Sequence, residues 1–266
     1  MLKFFVVTIV IVLLFFLGIR LVESSLVFFP TTAKQDFQEP DKSTFPFTDH
    51  FFETSDGVRL HGWHCSVPES EWTVLYLHGN AGNLSHRQSY ISYLQAAFPL
   101  DVFIFDYRGY GKSDDSPTEE GVYADVQAAY AYLRDELNVQ PERLLILGKS
   151  LGGAIAVDLA SQEQAFAGLI LESTFSSAQD MAGEMFGPIP VWLFSSIKLD
   201  SISKIPRVKK PILLIHGTED RIIPFELGKK LYEAAESKKM FRASEGAGHN
   251  NVFAAGGATY LKAWQD

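Results

Sequence analysis

The chain is poor in cysteine and in positive charge. Its one cysteine, Cys65, has no partner for an internal disulfide and no second thiol for a zinc site. The 23 Lys and Arg residues are outnumbered by 32 Asp and Glu residues, which gives a formal net charge of -9. A surface of this charge repels the phosphate backbone of nucleic acids, so we expect no nucleic-acid partner.

Charged residues are scarce overall, at 21% of the chain against 47% hydrophobic residues. A disordered chain has the opposite balance, because it contains too little apolar surface to bury. With 266 residues, the chain is long enough to enclose a substantial core. The composition therefore predicts one sizeable folded domain.

The N-terminus carries a long uncharged run. Phe4 to Ile19 contains no charged residue, and Lys3 and Arg20 bracket it. As a helix this run would extend about 24 Å, and nearly 30 Å if Leu21 and Val22 join it and Arg20 snorkels, which can span a bilayer. We predict that residues 1–22 form a single-pass membrane anchor. The Lys and Arg residues on its two sides are too evenly balanced to predict on which side of the membrane the rest of the chain lies. A cleaved signal peptide is the alternative, although LVESSLVFF offers no typical cleavage site.

The rest of the chain divides into a connector and a domain. Residues 23–49 contain three prolines and no periodic apolar pattern, which is typical of a connector. Residues 50–266 begin with two β-like runs around Asp56–Gly57, which predict an antiparallel hairpin. Short apolar runs (VLYL, VFIF, LLIL, LIL and ILLI) then alternate with helical segments. This alternation predicts an α/β fold, a mainly parallel sheet with helices on both faces.

One polar residue interrupts the apolar pattern at a strand-to-helix junction. Ser150 follows the strand LLIL in the sequence Gly148-Lys149-Ser150-Leu151-Gly152, which fits the pattern G-x-S-x-G. In that pattern the serine lies on a strained turn and is a candidate nucleophile, and the glycines leave room for it. A structural turn serine is the alternative interpretation.

A serine nucleophile needs a histidine base and an acid that orients it, and in this kind of fold both follow the serine in the chain. His249 lies in the glycine-rich sequence EGAGHNN and is the candidate base, whereas His216 ends a strand and is expected to support a loop. Asp220 follows that strand and is the candidate acid. Glu219 and Glu172 remain rivals for this role.

Two backbone N–H groups are expected to stabilise the oxyanion. One is that of Leu151, directly after the candidate nucleophile, and the other that of Asn80, in the glycine-rich loop HGNAGN. We expect no cofactor and no metal. Gly109 and Gly111 lack the third glycine of a dinucleotide fingerprint, and His61 and His64 point to opposite faces of one strand.

Six motifs occur in a familiar order: LHGNAGN, FDYRGYGKS, GKSLGG, LESTF, IHGTEDRIIP and GHNN. From about Phe51 to the C-terminus the chain resembles the α/β-hydrolase superfamily, and within it the membrane-anchored, Bem46-like serine hydrolases, which include the α/β-hydrolase-domain types 13 and 17. The resemblance implies that Ser150, Asp220 and His249 form a catalytic triad in a domain of residues 50–266. It also implies a short helical cap at about residues 175–205.

The cap region is rich in methionine and aromatic residues. Met185, Phe186 and Trp192 could line a pocket for an acyl chain, although packing of a surface helix would explain them equally well. Together with the anchor, they favour a serine hydrolase of a lipophilic carboxylic ester or thioester, either a small molecule or a lipid. A serine peptidase, a protein depalmitoylase and a noncatalytic membrane-anchored binding module remain alternatives.

Overall fold

The structure, a computed structural model, describes residue 18, residues 23–187 and residues 195–266. Within these residues, one sheet contains eight strands: β1 (Thr48–Glu53), β2 (Arg59–Cys65), β3 (Trp72–Leu77), β4 (Leu100–Asp106), β5 (Leu144–Lys149), β6 (Gly168–Glu172), β7 (Ile212–Gly217) and β8 (Lys239–Ser244). The α-helices that lie wholly within the described residues are α1 (Gln88–Ala97), α2 (Glu119–Asp135), α3 (Leu151–Gln162), α4 (Ala178–Phe186), α5 (Ser201–Lys204), α6 (Phe225–Ala234) and α7 (Val252–Gln265). Residues 23–27 are also helical.

The strands are ordered β1-β2-β4-β3-β5-β6-β7-β8 across the sheet. β1 and β2 pair antiparallel with each other, and β2 pairs antiparallel with β4, whereas β3 to β8 are mutually parallel. The predicted hairpin and the mainly parallel sheet are therefore confirmed. In a parallel sheet all carboxyl ends lie on one edge, so the loops after β3, β5, β7 and β8 meet there.

The core consists of two apolar clusters, one on each face of the sheet. Along β3, Leu75 and Leu77 belong to one cluster and Val74 and Tyr76 to the other, as expected when successive side chains point to opposite faces. Helices α2, α3 and α6 contribute to the first cluster, and α1 and α7 to the second. Because both faces are covered, all five residues of β6 are buried, which explains the uninterrupted apolar runs.

Helix α2 shows how the apolar pattern fixes the position of a helix. Its apolar residues at helical spacing are all buried, and Thr118 caps its N-terminus by accepting a hydrogen bond from the backbone N–H of Gly121. The buried positions include Val122, Val126 and Leu133, which form the face predicted from the sequence.

Residues 23–49, predicted as a connector, pack against the domain. Phe28 is 1% exposed and lies within one apolar cluster, and Phe45 and Phe47 surround the buried Trp63. The ring centroids of Phe47 and Trp63 are 4.2 Å apart. The prolines do prevent a long helix or strand over much of this segment, but its aromatic side chains are buried without one.

The predicted anchor, residues 1–22, lies outside the described residues except for Gly18. Among the helices that the structure describes, none is long and apolar enough to cross a bilayer.

The segment between β6 and β7, where the cap is predicted, contains the short helices α4 and α5. It is attached on two sides: Asp180 of α4 pairs with Lys230 of α6 at 2.8 Å, and the Glu119 carboxylate of α2 accepts hydrogen bonds from the backbone N–H groups of Lys198 and Leu199. Residues 188–194, which include the predicted pocket residue Trp192, lie outside the described part of the chain.

Candidate active site

Ser150 lies on a strained turn between β5 and α3. Its backbone angles are φ 55° and ψ -122°, a region that non-glycine residues seldom adopt. A Cβ atom at position 148 would lie 2.5 Å from the carbonyl oxygen of Gly152, and a Cβ atom at position 152 would lie 2.0 Å from that of Leu77. Both glycines are therefore required by close backbone contacts, as the motif predicts.

Hydrogen bonds from the neighbouring strand hold this turn in place. The backbone N–H of Ser150 donates to the carbonyl oxygen of Glu172 at 2.9 Å, and the Thr174 hydroxyl donates to the carbonyl oxygen of Ser150 at 2.8 Å. Because Glu172 at the end of β6 and Thr174, two residues after it, fix both sides of the residue, the Ser150 side chain projects from a rigid position.

His249 bridges Ser150 and Asp220. Its Nε2 atom lies 3.1 Å from Ser150 Oγ, and its Nδ1 atom lies 2.7 Å from Asp220 Oδ2. The His249 side chain is 9% exposed, in the loop between β8 and α7. This loop is joined to the Asp220 loop by a hydrogen bond from Glu219 N–H to the carbonyl oxygen of Ala247 at 2.9 Å. The three residues, which follow one another in the sequence as serine, acid and histidine, thus form a linear chain of contacts with His249 in the middle.

The Asp220 carboxylate is held as an anion. Burial alone would raise its pKa, but hydrogen bonds from His216, His249 and the backbone of Ile223 outweigh burial and hold the pKa well below its usual range. Oδ1 accepts from the backbone N–H groups of Ile222 and Ile223, both at 2.9 Å. His216 Nε2 lies 3.3 Å from Oδ2, so this histidine supports the acid loop, as its position predicts.

The two rival acids are placed differently, and the Glu219 side chain is exposed to solvent. Glu172 is fully buried on the side of the sheet that faces α1 and α7, where it pairs with Lys149 at 2.7 Å and accepts hydrogen bonds from Tyr90 and Tyr260 at 2.9 and 2.7 Å. Burial would raise the pKa of Glu172, but Lys149 and the two tyrosines lower it below its ordinary value. The charge of Glu172 is therefore balanced by Lys149. The carboxylate that contacts His249 is that of Asp220.

The two candidate oxyanion donors flank the nucleophile. Leu151 is the first residue of α3, where backbone N–H groups have no partner within the helix. Asn80 follows Gly79, at which a Cβ atom would lie only 3.3 Å from Ser150 Cβ. In the described part of the chain, neither the Leu151 nor the Asn80 backbone N–H donates a hydrogen bond.

The sequence did not reveal what the Asn80 side chain binds. Its Oδ1 atom accepts from Tyr110 OH and from the backbone N–H of Phe29, and its Nδ2 atom donates to the carbonyl oxygen of Val27. Phe29 and Val27 belong to the segment predicted as a connector, so no local pattern in HGNAGN could indicate these bonds. The presence of an asparagine was the one available sign of these bonds, because a backbone N–H that stabilises an oxyanion needs no particular side chain at its residue.

The predicted pocket residues Met185 and Phe186 are on the surface of α4, where they are 69% and 49% exposed. The groove between α4 and α6 is lined largely by polar side chains, which are Gln179, Asp180, Glu184, Glu226 and Lys230. Within the described residues, no group of three or more His, Cys, Asp or Glu side chains is arranged to hold a metal ion.

Comparisons with known proteins agree with this architecture. A sequence model of the α/β hydrolase fold matches residues 73–200. The α/β hydrolase domain-containing protein WAV2 of Arabidopsis thaliana is 32% identical over 84% of this chain and 79% of its own length. This chain belongs to the α/β-hydrolase family. The human α/β hydrolase domain-containing protein 17B is 37% identical over 75% of this α/β-hydrolase chain and 68% of its own length. Caenorhabditis elegans aho-3 is 39% identical over 70% of the chain, which spans 54% of that relative.

Solved structures share the same fold. An esterase of Pyrococcus furiosus superposes with a TM-score of 0.70 at 23% identity and covers 88% of this α/β-hydrolase chain and 95% of its own. An acylaminoacyl peptidase of Pyrococcus horikoshii gives a TM-score of 0.63 at 19% identity, over 83% of this chain and 40% of its own. Since differently named enzymes share the fold, the chemistry must be argued from the site.

Replacing Glu172 with Gln should lower the free energy of unfolding by about 3–5 kcal/mol, because the Lys149 ammonium would lose its buried counter-charge. Tyr260→Phe removes one hydrogen bond to the same carboxylate and should cost about 1–3 kcal/mol. Urea unfolding at neutral pH measures both losses. A Glu172→Gln loss no larger than that of Tyr260→Phe would contradict the ion pair.

Proposed function

We propose that the protein is a serine hydrolase that cleaves a carboxylic ester or thioester through an acyl-enzyme on Ser150. The observation that carries the proposal is the contact chain through His249, 3.1 Å to Ser150 Oγ and 2.7 Å to Asp220 Oδ2. Relatives named as α/β hydrolase domain-containing proteins and a structural neighbour named as an esterase support the same chemistry.

In the first half-reaction, Ser150 Oγ attacks the substrate carbonyl carbon while His249 Nε2 takes the hydroxyl proton. The Asp220 carboxylate accepts a hydrogen bond from the His249 Nδ1–H and stabilises the imidazolium that forms. The backbone N–H groups of Leu151 and Asn80 stabilise the oxyanion. His249 then returns the proton to the leaving alcohol or thiol as its bond to the carbonyl carbon breaks.

In the second half-reaction, water replaces the leaving group. His249 Nε2 removes a proton from the water as its oxygen attacks the acyl carbon, and the same proton returns to Ser150 Oγ when the acid product departs. The reaction consumes one water molecule for each bond cleaved and needs no cofactor.

Ser150→Ala should abolish labelling by a fluorophosphonate and lower kcat by about 10⁶-fold, because no other group can form the acyl bond. Asp220→Asn should lower kcat by about 10⁴-fold, since His249 would lose the acceptor that fixes its tautomer. Glu219→Gln, at the neighbouring acid, is the matched control and should stay near wild type. Labelling that persists in Ser150→Ala, or a milder loss in Asp220→Asn than in Glu219→Gln, would refute these roles.

We also propose that the substrate has a lipophilic acyl chain that contacts the cap. If Met185 and Phe186 line its path, kcat/KM for p-nitrophenyl esters should rise severalfold for each added pair of methylenes, because each buried methylene contributes up to about 0.8 kcal/mol. The double variant Met185→Ala/Phe186→Ala should flatten this rise and spare acetyl esters. A uniform loss across all chain lengths would instead assign these residues to packing. Thioesters and amides of the same acyl groups complete the comparison.

We propose, finally, that residues 1–22 anchor the protein in a membrane. The support is the uncharged run from Phe4 to Ile19. The full chain should remain in the pelleted membranes after alkaline carbonate extraction, and a variant with Val10→Lys and Leu13→Lys should be released, because two central charges make insertion unfavourable. Release of the unmodified chain would contradict the anchor.

A further inference from the structure

The N-terminal segment of residues 23–36, here called the strap, lies along the edge of the sheet that carries the active site. The backbone N–H of Thr31 donates to the carbonyl oxygen of Gly82 at 3.2 Å, and the side chain of Asn83 donates to the carbonyl oxygen of Thr31 at 3.1 Å. Thr31 also accepts from Gly111 N–H at 3.0 Å. The strap thus joins two loops of the domain, after β3 and after β4.

The strap also uses both ends of the Asn80 amide. The Phe29 N–H donates to Asn80 Oδ1 at 2.9 Å, and Asn80 Nδ2 donates to the carbonyl oxygen of Val27 at 2.5 Å. Tyr110 OH donates to Oδ1 at 2.8 Å from within the domain. With its side chain held from two directions, Asn80 has little freedom to rotate, and the orientation of its backbone N–H is fixed with it.

Each end of the strap is fastened independently of Asn80. Phe28 is 1% exposed in the apolar core, between the two strap residues that bind Asn80. The Glu23 carboxylate accepts hydrogen bonds from the backbone N–H of Ser196 at 2.8 Å and from Ser195 Oγ at 3.0 Å. At the other end, Asp36 pairs with His86 at 3.0 Å.

We infer that the strap is a positioning element of the active site, which holds the Asn80 backbone N–H in place as an oxyanion donor. The inference rests on the proposed function for its chemical meaning. The loop of residues 79–83 contains two glycines and would otherwise sample many conformations. An oxyanion donor stabilises the transition state only when it is already oriented, so a loop fixed from outside costs no reorganisation during the reaction.

The test compares two adjacent phenylalanines in the full chain. Phe28→Ala removes the buried ring that fastens the strap, whereas Phe29→Ala removes a ring that is 56% exposed and keeps the N–H that binds Asn80. Asn80→Ala is a second variant, which keeps the core intact and the backbone N–H present but removes all three side-chain hydrogen bonds. Ser150→Ala gives the background rate.

Two measurements report on position. Hydrogen exchange at residues 79–83 should become about tenfold faster in Phe28→Ala and Asn80→Ala, because the loop opens locally. The exchange rate of a peptide that contains β5 should stay at its wild-type value and serves as the control. For an oxyester, kcat should fall by at least about tenfold with KM within about twofold, since removal of one such donor costs about 10²–10³-fold. A matched thionoester should lose much less, because its sulfur accepts hydrogen bonds weakly. Phe29→Ala should match wild type in both measurements.

The outcomes separate this inference from the proposed function. Hydrolysis by the unmodified chain that Ser150→Ala leaves unchanged would overturn the proposed function, and the exchange data would still decide whether the strap orders the loop. Unchanged exchange at residues 79–83 in both Phe28→Ala and Asn80→Ala would overturn the strap's role. Equal losses for the oxyester and the thionoester would also overturn it, because they would show a general loss of structure.

Discussion

The contact between α3 and β3 at Gly152 is the constraint on which the rest of the candidate active site depends. No side chain fits there, because a Cβ atom would lie 2.0 Å from the carbonyl oxygen of Leu77. The close approach brings the first turn of α3 directly against the end of the sheet. Ser150 must then complete the turn within a single residue at positive φ, and its contact with His249 follows from the direction in which its side chain points.

Two carboxylates lie at the ends of adjacent strands and are stabilised in different ways. Asp220 receives hydrogen bonds from two backbone N–H groups and from His249, an arrangement that keeps it charged and leaves His249 Nε2 facing Ser150 Oγ. The negative charge of Glu172 is balanced by Lys149, and two tyrosine hydroxyls donate hydrogen bonds to the same carboxylate. The second arrangement joins β5 and β6 to α1 and α7, and α7 begins just after His249. We interpret it as support beneath the site.

Much of the fold and of the candidate site was predictable because each depends on local patterns. Continuous apolar runs predict strands covered on both faces, and the elbow glycines predict the turn at Ser150. The contacts of residues 23–49 were not predictable. Phe28 follows a short helical stretch of residues 23–27, and Phe47 lies directly before β1, so neither belongs to a run long enough for a period of 2 or 3.6 to indicate which side chains face inward. The pairing of Glu172 was equally hidden, because Tyr90 and Tyr260 lie 82 and 88 residues away from it in the chain.

The hydrogen bonds between Glu23 and Ser196 also limit how far Ser196 can lie from residue 20. Glu23 is three residues from Arg20, and three extended residues span at most about 11 Å. Ser196, in the segment between β6 and β7, therefore lies within about that reach of whatever fixes residue 20, extended by the length of the Glu23 side chain. If the proposed anchor of residues 1–22 lies in a bilayer, this tether keeps the folded domain at the water–lipid boundary. Encounter with the proposed lipophilic substrate would then be a two-dimensional search, whose rate depends on the surface density of the substrate in the membrane and not on its bulk concentration.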